Sequence, residues 1–186
     1  MNVLVTVASK HGATEEISQV LAGILRDAGL SVTTSAPDEV SGLDKFDAVV
    51  LGSAVYAGRW MGSASQFADR FAADLINREV WLFSSGPIGD PPKPTHEPPA
   101  ALTLVERLGA REHRSFPGRL DRNRIGLMER AVTRALKVPE GDFRDWEAIR
   151  AWGNEIAADL VGPTRVVRMF GAIRAAGATA PQGGTP

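Results

Sequence analysis

Val3, Leu4, Val5, Val7 and Ala8 form a nearly continuous apolar run. It gives way at once to the short polar stretch Ser9-Lys10-His11-Gly12-Ala13-Thr14. Apolar residues then recur at Ile17, Val20, Leu21, Ile24 and Leu25, three and four positions apart. A strand that is apolar without alternation is buried on both faces, which is the condition of a parallel sheet covered by helices. The spacing after Thr14 is that of an amphipathic helix, and Gly29 reads as its C-terminal stop. The opening of the chain is therefore the first half of a strand–helix–strand unit. It requires the remainder to supply further buried strands separated by helices.

The remainder has that pattern. Ser31 to Ala36 reads as a second strand, and Phe46 to Gly52 as a third centred on Ala48, Val49, Val50 and Leu51. A loop of small residues follows, then a helix from about Met61 to Leu75, then a fourth strand at Val80 to Ser84. The stretch from Gly86 to Pro99 holds Pro87, Pro91, Pro92, Pro94, Pro98 and Pro99, so it is neither helix nor central strand but a long loop. A helix around Ala100 to Leu108, a fifth strand at Ala110 to Phe116 and a helix at Arg124 to Leu136 come next. The last helix, Asp145 to Leu160, sets Trp146, Ile149, Trp152, Ile156 and Leu160 on one side, and acidic residues at its start suit a cap. Alternating strands and helices joined by right-handed crossovers make an α/β domain with a doubly wound, five-stranded parallel sheet.

A length of 186 residues suits one such domain, read here as residues 1–162, followed by a flexible tail over residues 163–186. With no cysteine, thiol nucleophiles, disulfides and cysteine-held metal centres are excluded, so redox chemistry would need a bound cofactor. A formal net charge of −1 gives no reason to expect nucleic acid as a partner. It also disfavours a carrier that steers its partner by a strong field. His11, His96 and His113 have no metal-ligand spacing, so no metal site is expected. The opening strand lacks a basic leader and a cleavage site, so no signal peptide is read and the cytoplasm is the expected location. Arg165, Arg168 and Arg174 lie among Val166, Val167, Met169, Phe170 and Ile173, a short basic amphipathic piece that could make peripheral membrane contact, although a plain surface tail is the more ordinary reading. Oligomeric state is not legible.

The stretch Ser9 to Thr14 carries the strongest local chemistry. It lacks the glycine triplet of a dinucleotide loop and the Gly-Lys-Ser/Thr of a nucleoside-triphosphate loop. Ser9 and Thr14 offer hydroxyls, and Gly12 allows close backbone approach. The amides of Gly12, Ala13 and Thr14 open the helix, where its dipole also favours an anion. Lys10 can add charge, and His11 stands in the same turn. This set suits a terminal monophosphate; a capped turn with no ligand has the same local pattern.

Val7-Ala8-Ser9-Lys10-His11-Gly12-Ala13-Thr14-Glu15-Glu16-Ile17 resembles the phosphate loop and first helix of flavodoxin-like proteins. Gly52-Ser53-Ala54-Val55-Tyr56-Ala57-Gly58-Arg59-Trp60 resembles their second flavin loop, and Ser84-Ser85-Gly86-Pro87 falls where the third belongs. Within that superfamily the chain looks most like the menaquinone-dependent protoporphyrinogen oxidase branch. The additional points are Phe116-Pro117-Gly118-Arg119-Leu120-Asp121 and Asp142-Phe143-Arg144-Asp145-Trp146-Glu147. The segment Arg122 to Asp142 departs from that branch: it keeps Arg122, Arg124, Arg130, Arg134 and Lys137 but has no aromatic residue.

The resemblance implies a flavodoxin-like sheet of order 2-1-3-4-5 and non-covalent FMN at the loops after strands one, three and four. It places the phosphate on Ser9 to Thr14. The ring would lie between Ala54, Val55, Tyr56, Ala57, Gly58, Arg59 and Trp60 on one side and Ser84, Ser85, Gly86 and Pro87 on the other. Tyr56 and Trp60 are the available aromatic covers, although Trp60 also reads as core. Gly58 would let the peptide beside the flavin N5 turn over. Arg59 would hold negative charge at the ring edge, or simply be solvated. No catalytic residue is singled out; His96 is at most a speculative proton donor. The expected function is an FMN-dependent oxidoreductase passing electrons between the flavin and a small organic substrate or quinone, protoporphyrinogen oxidase-like in its nearest form. The alternatives are an electron-transfer flavodoxin with a protein redox partner, and an interaction module that has lost the flavin.

Overall fold

The apolar run after Met1 forms β1 (Asn2–Ala8), followed by α1 (Ala13–Asp27), β2 (Ser31–Ser35) and β3 (Ala48–Tyr56). The chain continues with β4 (Arg59–Trp60), α2 (Gly62–Arg70), α3 (Ala72–Leu75) and β5 (Glu79–Ser85). Then come α4 (Pro99–Leu108), β6 (Glu112–Phe116), β7 (Arg119–Leu120), α5 (Leu127–Ala135), β8 (Gly141–Asp142) and α6 (Trp146–Val161). This computed structural model describes residues 1–86, 88, 99–135 and 138–162. The expected tail over 163–186, most of the proline-rich stretch, Pro87 and His96 lie outside the described residues.

The main sheet runs β2-β1-β3-β5-β6, every neighbouring pair parallel. With β4 set aside as an appended strand, this is the expected 2-1-3-4-5 order. Side chains alternate across the sheet, which explains why the central strands are apolar throughout. In β3, Ala48 and Val50 join one core cluster while Val49 and Leu51 join the other; in β5, Trp81 and Phe83 part from Val80 and Leu82 in the same way. The first cluster is closed by Ile17, Leu21 and Leu25 of α1 and by Ile149, Trp152 and Ile156 of α6. The second is closed by Ala64, Phe67 and Ala68 of α2, Leu75 of α3, and Leu104 and Leu108 of α4.

The expected ends of α1 and α6 hold. Gly29 has φ 85°, and the Gly29 and Leu30 amides donate back to the carbonyls of Arg26 and Leu25, a left-handed stop that favours glycine. Asp145 caps α6 by accepting from the Ala148 amide at 2.9 Å. Three expectations need correction. The third strand does not end at Gly52 but continues to Tyr56, so the stretch read as a loop is largely a hairpin with β4. The helix expected over 61–75 is interrupted at Phe71, whose φ of −108° separates α2 from α3. The helix expected from Arg124 begins at Leu127, because Arg124 closes a turn by donating its amide to the Asp121 carbonyl at 3.0 Å.

Candidate functional site

The polar stretch after β1 turns sharply into α1. Gly12 is the residue before the helix, with φ 82°, and its amide donates to Ser9 Oγ at 3.1 Å. A side chain at Gly12 would be strained by that φ. No side chain caps the first turn of α1, so the opening amides point outward without an intrahelical acceptor. Thr14 is 2% exposed, and its hydroxyl makes no hydrogen bond to a described residue. Lys10 is ion-paired with Glu129 of α5, and His11 Nε2 lies 3.3 Å from the other oxygen of the same carboxylate.

The second loop is a two-residue turn at the tip of the β3–β4 hairpin. Ala57 and Gly58 have φ of 49° and 74°, both left-handed, the signature of a type I′ turn. Tyr56 and Arg59 pair across it, as do Val55 and Trp60. The Ser53 hydroxyl accepts from the Met61 amide at 2.9 Å and donates to the Ala54 carbonyl at 2.8 Å, which ties the hairpin to the start of α2. Tyr56 is 44% exposed, with the His11 ring edge-on to it at 6.4 Å and Lys10 Nζ 5.8 Å from its centroid. Burial, and behind it the Glu129 charge, push the Tyr56 phenol above its usual pKa. Trp60 takes the core alternative: it is 7% exposed, packs in the second cluster, and donates from Nε1 to Ser84 Oγ at 2.8 Å.

The third loop leaves the end of β5. Ser84 is fully buried and also bonded to His113 Nε2 at 2.8 Å, so it faces inward. Ser85 and Gly86 turn the other way, toward the first two loops. A Cβ at Gly86 would come within 3.0 Å of Val55 Cβ, and one at Gly118 within 3.4 Å of Gly86 Cα. These glycines let three chain segments pass close together.

All three loops meet at one cavity of about 290 Å³ at the carboxyl end of the sheet. Of the residues expected there, Ser9, His11, Ala13, Thr14, Ala54, Val55, Tyr56, Ser85 and Gly86 line it. Lys10, Gly12, Ala57, Gly58 and Arg59 lie in the same loops without lining it, Trp60 and Ser84 stand behind it in the core, and Pro87 lies outside the described residues. A fourth wall, built from the chain after β6, adds Gly118 to Asp121, Arg124, Ile125, Met128, Glu129, Val132 and Thr133. Sequence reasoning assigned none of these to the site. The topology carried the signal: in an open parallel sheet the loop after every strand emerges at the same edge, so the segment after Phe116 also reaches the crevice.

The fourth wall is held to α1 by charge. Glu16 receives both Nη atoms of Arg119 at 2.9 Å each and Nη1 of Arg144 at 2.9 Å. Burial works to raise the Glu16 pKa, but the hydrogen bonds from Arg119 and Arg144 outweigh it and hold the carboxylate below its usual range. The Arg144 side chain is 2% exposed; it also donates to the Ala13 carbonyl at 3.1 Å and to Asp142. β7 and β8 pair antiparallel, so Arg119 and Asp142 face each other. Glu129 is pulled down to about 2, first by the hydrogen bond from Lys10 and then by the Gly126 amide. Its carboxylate is ionised at neutral pH and fastens α5 to the loop before α1.

The donor set fits a phosphate monoester: an uncapped helix start, a left-handed glycine, a cavity-lining hydroxyl at Thr14, and cations close by. The opposite wall of the cavity, with Leu120, Ile125, Met128 and Val132, is apolar and suits a ring system. Among the described residues no group of acidic and histidine side chains is placed to hold a metal. No helix among them is long and apolar enough to cross a membrane.

Comparison with known structures gives the same architecture. A point mutant of flavodoxin from Pseudomonas aeruginosa superposes with a TM-score of 0.58 at 16% identity, covering 87% of this chain and 100% of that one. Two-electron reduced flavodoxin from Megasphaera elsdenii matches with a TM-score of 0.53 at 20% identity, over 65% of this chain and 89% of that one. The rubredoxin oxygen:oxidoreductase of Desulfovibrio gigas matches with a TM-score of 0.59 at 14% identity; it covers 86% of this chain, which spans only 36% of its length. No curated protein matches the sequence. The flavodoxin domain family model matches residues 4–146, which takes in all three loops and the fourth wall, and the chain therefore belongs to the flavodoxin domain family.

Proposed function

We propose that the protein binds FMN in this cavity and acts as an oxidoreductase that exchanges electrons between the flavin and a small organic substrate or quinone. The observation that carries the reading is the convergence of the loops after β1, β3 and β5 on one cavity whose polar end has the chemistry of a phosphate site. Ser9, Gly12, Ala13 and Thr14 would hold the phosphate, with Lys10 and His11 beside them. Ala54, Val55 and Tyr56 with Ser85 and Gly86 would border the ring, with Ala57, Gly58 and Arg59 at the hairpin tip beside it. The flavin supplies the electron chemistry when bound.

The chain's own part is positioning and charge. The αL turn at Ala57-Gly58 presents peptide groups at the hairpin tip with no heavy atom within 4 Å of a Cβ at Gly58, so that peptide has room to reorient. Arg59 is exposed at the same tip and can meet an anionic group. Met128 and Val132 of α5 give the cavity an apolar border on one side. Such a wall favours a small apolar electron partner over a large docking protein. The resemblance to menaquinone-dependent protoporphyrinogen oxidases makes protoporphyrinogen with a quinone acceptor the substrate pair to try first. The absence of aromatic residues between Arg122 and Asp142, where the chain departs from that branch, weighs against protoporphyrinogen as the substrate. A simple electron-transfer flavodoxin is the second reading, favoured by the flavodoxin domain that spans residues 4–146.

The test is titration of the purified protein with FMN, followed by visible absorbance and flavin fluorescence. Saturable binding at micromolar concentration or tighter is expected. The loaded protein is then reduced with NAD(P)H and offered quinones, protoporphyrinogen and flavodoxin partner proteins in turn. No binding at tens of micromolar FMN sinks the reading.

A further inference from the structure

We infer that Arg124, which lies outside the strand-to-helix loop, is a phosphate-binding residue of this site and the one that distinguishes a phosphorylated flavin from an unphosphorylated one. The inference rests on the flavin reading above. Its first support is position. A Cβ built on Gly12 would lie 3.6 Å from Arg124 Nη1, so the guanidinium stands over the backbone where the amides of α1 emerge. The second is an unpartnered group beside it. Thr14 is 2% exposed, lines the cavity, and has a hydroxyl with no partner among the described residues. That hydroxyl stands at the cavity wall beside the guanidinium, with its hydrogen-bonding capacity open to a bound acceptor.

The third support is that the protein's own carboxylates hold Arg124 loosely. Arg124 Nη1 is 3.5 Å from Glu16 Oε1, and its Nε is 3.7 Å from Asp121 Oδ2, both beyond good hydrogen-bond distance. Glu16 is already saturated by Arg119 and Arg144 at 2.9 Å. Lys10, on the other side of the loop, is committed to Glu129. Arg124 is 53% exposed, lines the cavity and carries a planar fork of donors that matches two phosphate oxygens. Glu16 and Asp121 keep it poised near the helix start without consuming those donors.

The experiment is fluorescence titration of the whole chain, wild type, Arg124→Gln and Arg124→Lys, with FMN and with riboflavin at low and moderate salt. Arg124→Gln is expected to weaken FMN about tenfold, equivalent to about 1.4 kcal/mol, and to leave riboflavin unchanged. Arg124→Lys recovers part of that loss, and added salt weakens FMN but not riboflavin. Retained riboflavin affinity shows that the variant is folded around an intact ring site. Unchanged FMN affinity in Arg124→Gln, or an equal loss of both flavins, overturns the assignment and leaves the flavin reading standing. Failure of the wild type to bind either flavin overturns both.

Discussion

Gly52 lies in the middle of β3, and replacing it with alanine tests whether the glycine is there for packing. A Cβ at that position would sit 2.3 Å from both Cε1 and Cζ of Phe83 on β5, the neighbouring strand. Phe83 has no room to yield. It is fully buried, with its ring 6.1 Å from Phe116 and 5.9 Å from Trp152. The phenyl face lies over the glycine, so the methyl must push the ring into two other aromatics or bend the strand. Overpacking of this kind costs about 1–3 kcal/mol, and a contact this short belongs at the upper end. Alanine recovers about 0.5–1 kcal/mol of backbone entropy relative to glycine, which leaves a net loss of about 2 kcal/mol. In a chain of this size that lowers the melting temperature by about 4–8 °C, readable by circular dichroism or urea unfolding. In the double variant Gly52→Ala/Phe83→Leu the clash is removed, so its destabilisation should fall short of the sum of the single ones by at least about 1 kcal/mol. A Gly52→Ala protein within about 0.5 kcal/mol of wild type, or strict additivity of the two changes, would refute the packing argument.

Arg144→Met removes the donor to the Ala13 carbonyl and to Asp142 while Arg119 keeps Glu16 paired, and should cost about 2 kcal/mol in denaturant unfolding, with hydrogen exchange rising first at the start of α1. Ala57→Asn places a residue tolerant of φ 49° at the hairpin tip and should stabilise the protein by about 1 kcal/mol; a loss instead would mean the turn is held by something other than local backbone preference. Glu129 has its pKa pulled down to about 2 from an ordinary 4.5. Its stabilisation is therefore fully present above pH 4.5 and lost as pH falls toward 2, and Glu129→Gln should flatten the acid limb of a stability-against-pH curve. The same variant removes a carboxylate from beside Lys10 and His11, so FMN should bind it more tightly in direct titration.

The fold was legible because β1, β3 and β5 are apolar on both faces, a pattern that has few structural solutions. The first loop was legible because a hydroxyl–glycine–hydroxyl turn between strand and helix has a local signature. Trp60 could not be settled from sequence. Its two readings differ only in which way one side chain turns, and the partner that decides it, Ser84, is on another strand. The hairpin was missed because Ala57 lacks the glycine or asparagine usually found at a left-handed position. The fourth wall was missed because its contacts with α1 join Glu16 to Arg119 and Arg144, over a separation that no periodicity reports. The exposed apolar residues of α5, Leu127 at 84% and Met128 at 81%, gave no core signal either.

The convergence of Arg119 and Arg144 on Glu16 also fixes an order of events at the ribosome. The loop between β1 and α1 is complete as a sequence by Thr14, but the residues that brace it lie at positions 119–144. Until that later segment has emerged, the Ala13 carbonyl and the Glu16 carboxylate have water in place of guanidinium. Long-range contacts of this kind are closed late and slowly. The bracing of α1 is therefore complete only after residue 144 has emerged, and a chain truncated before residue 119 should have the main-sheet strands without it.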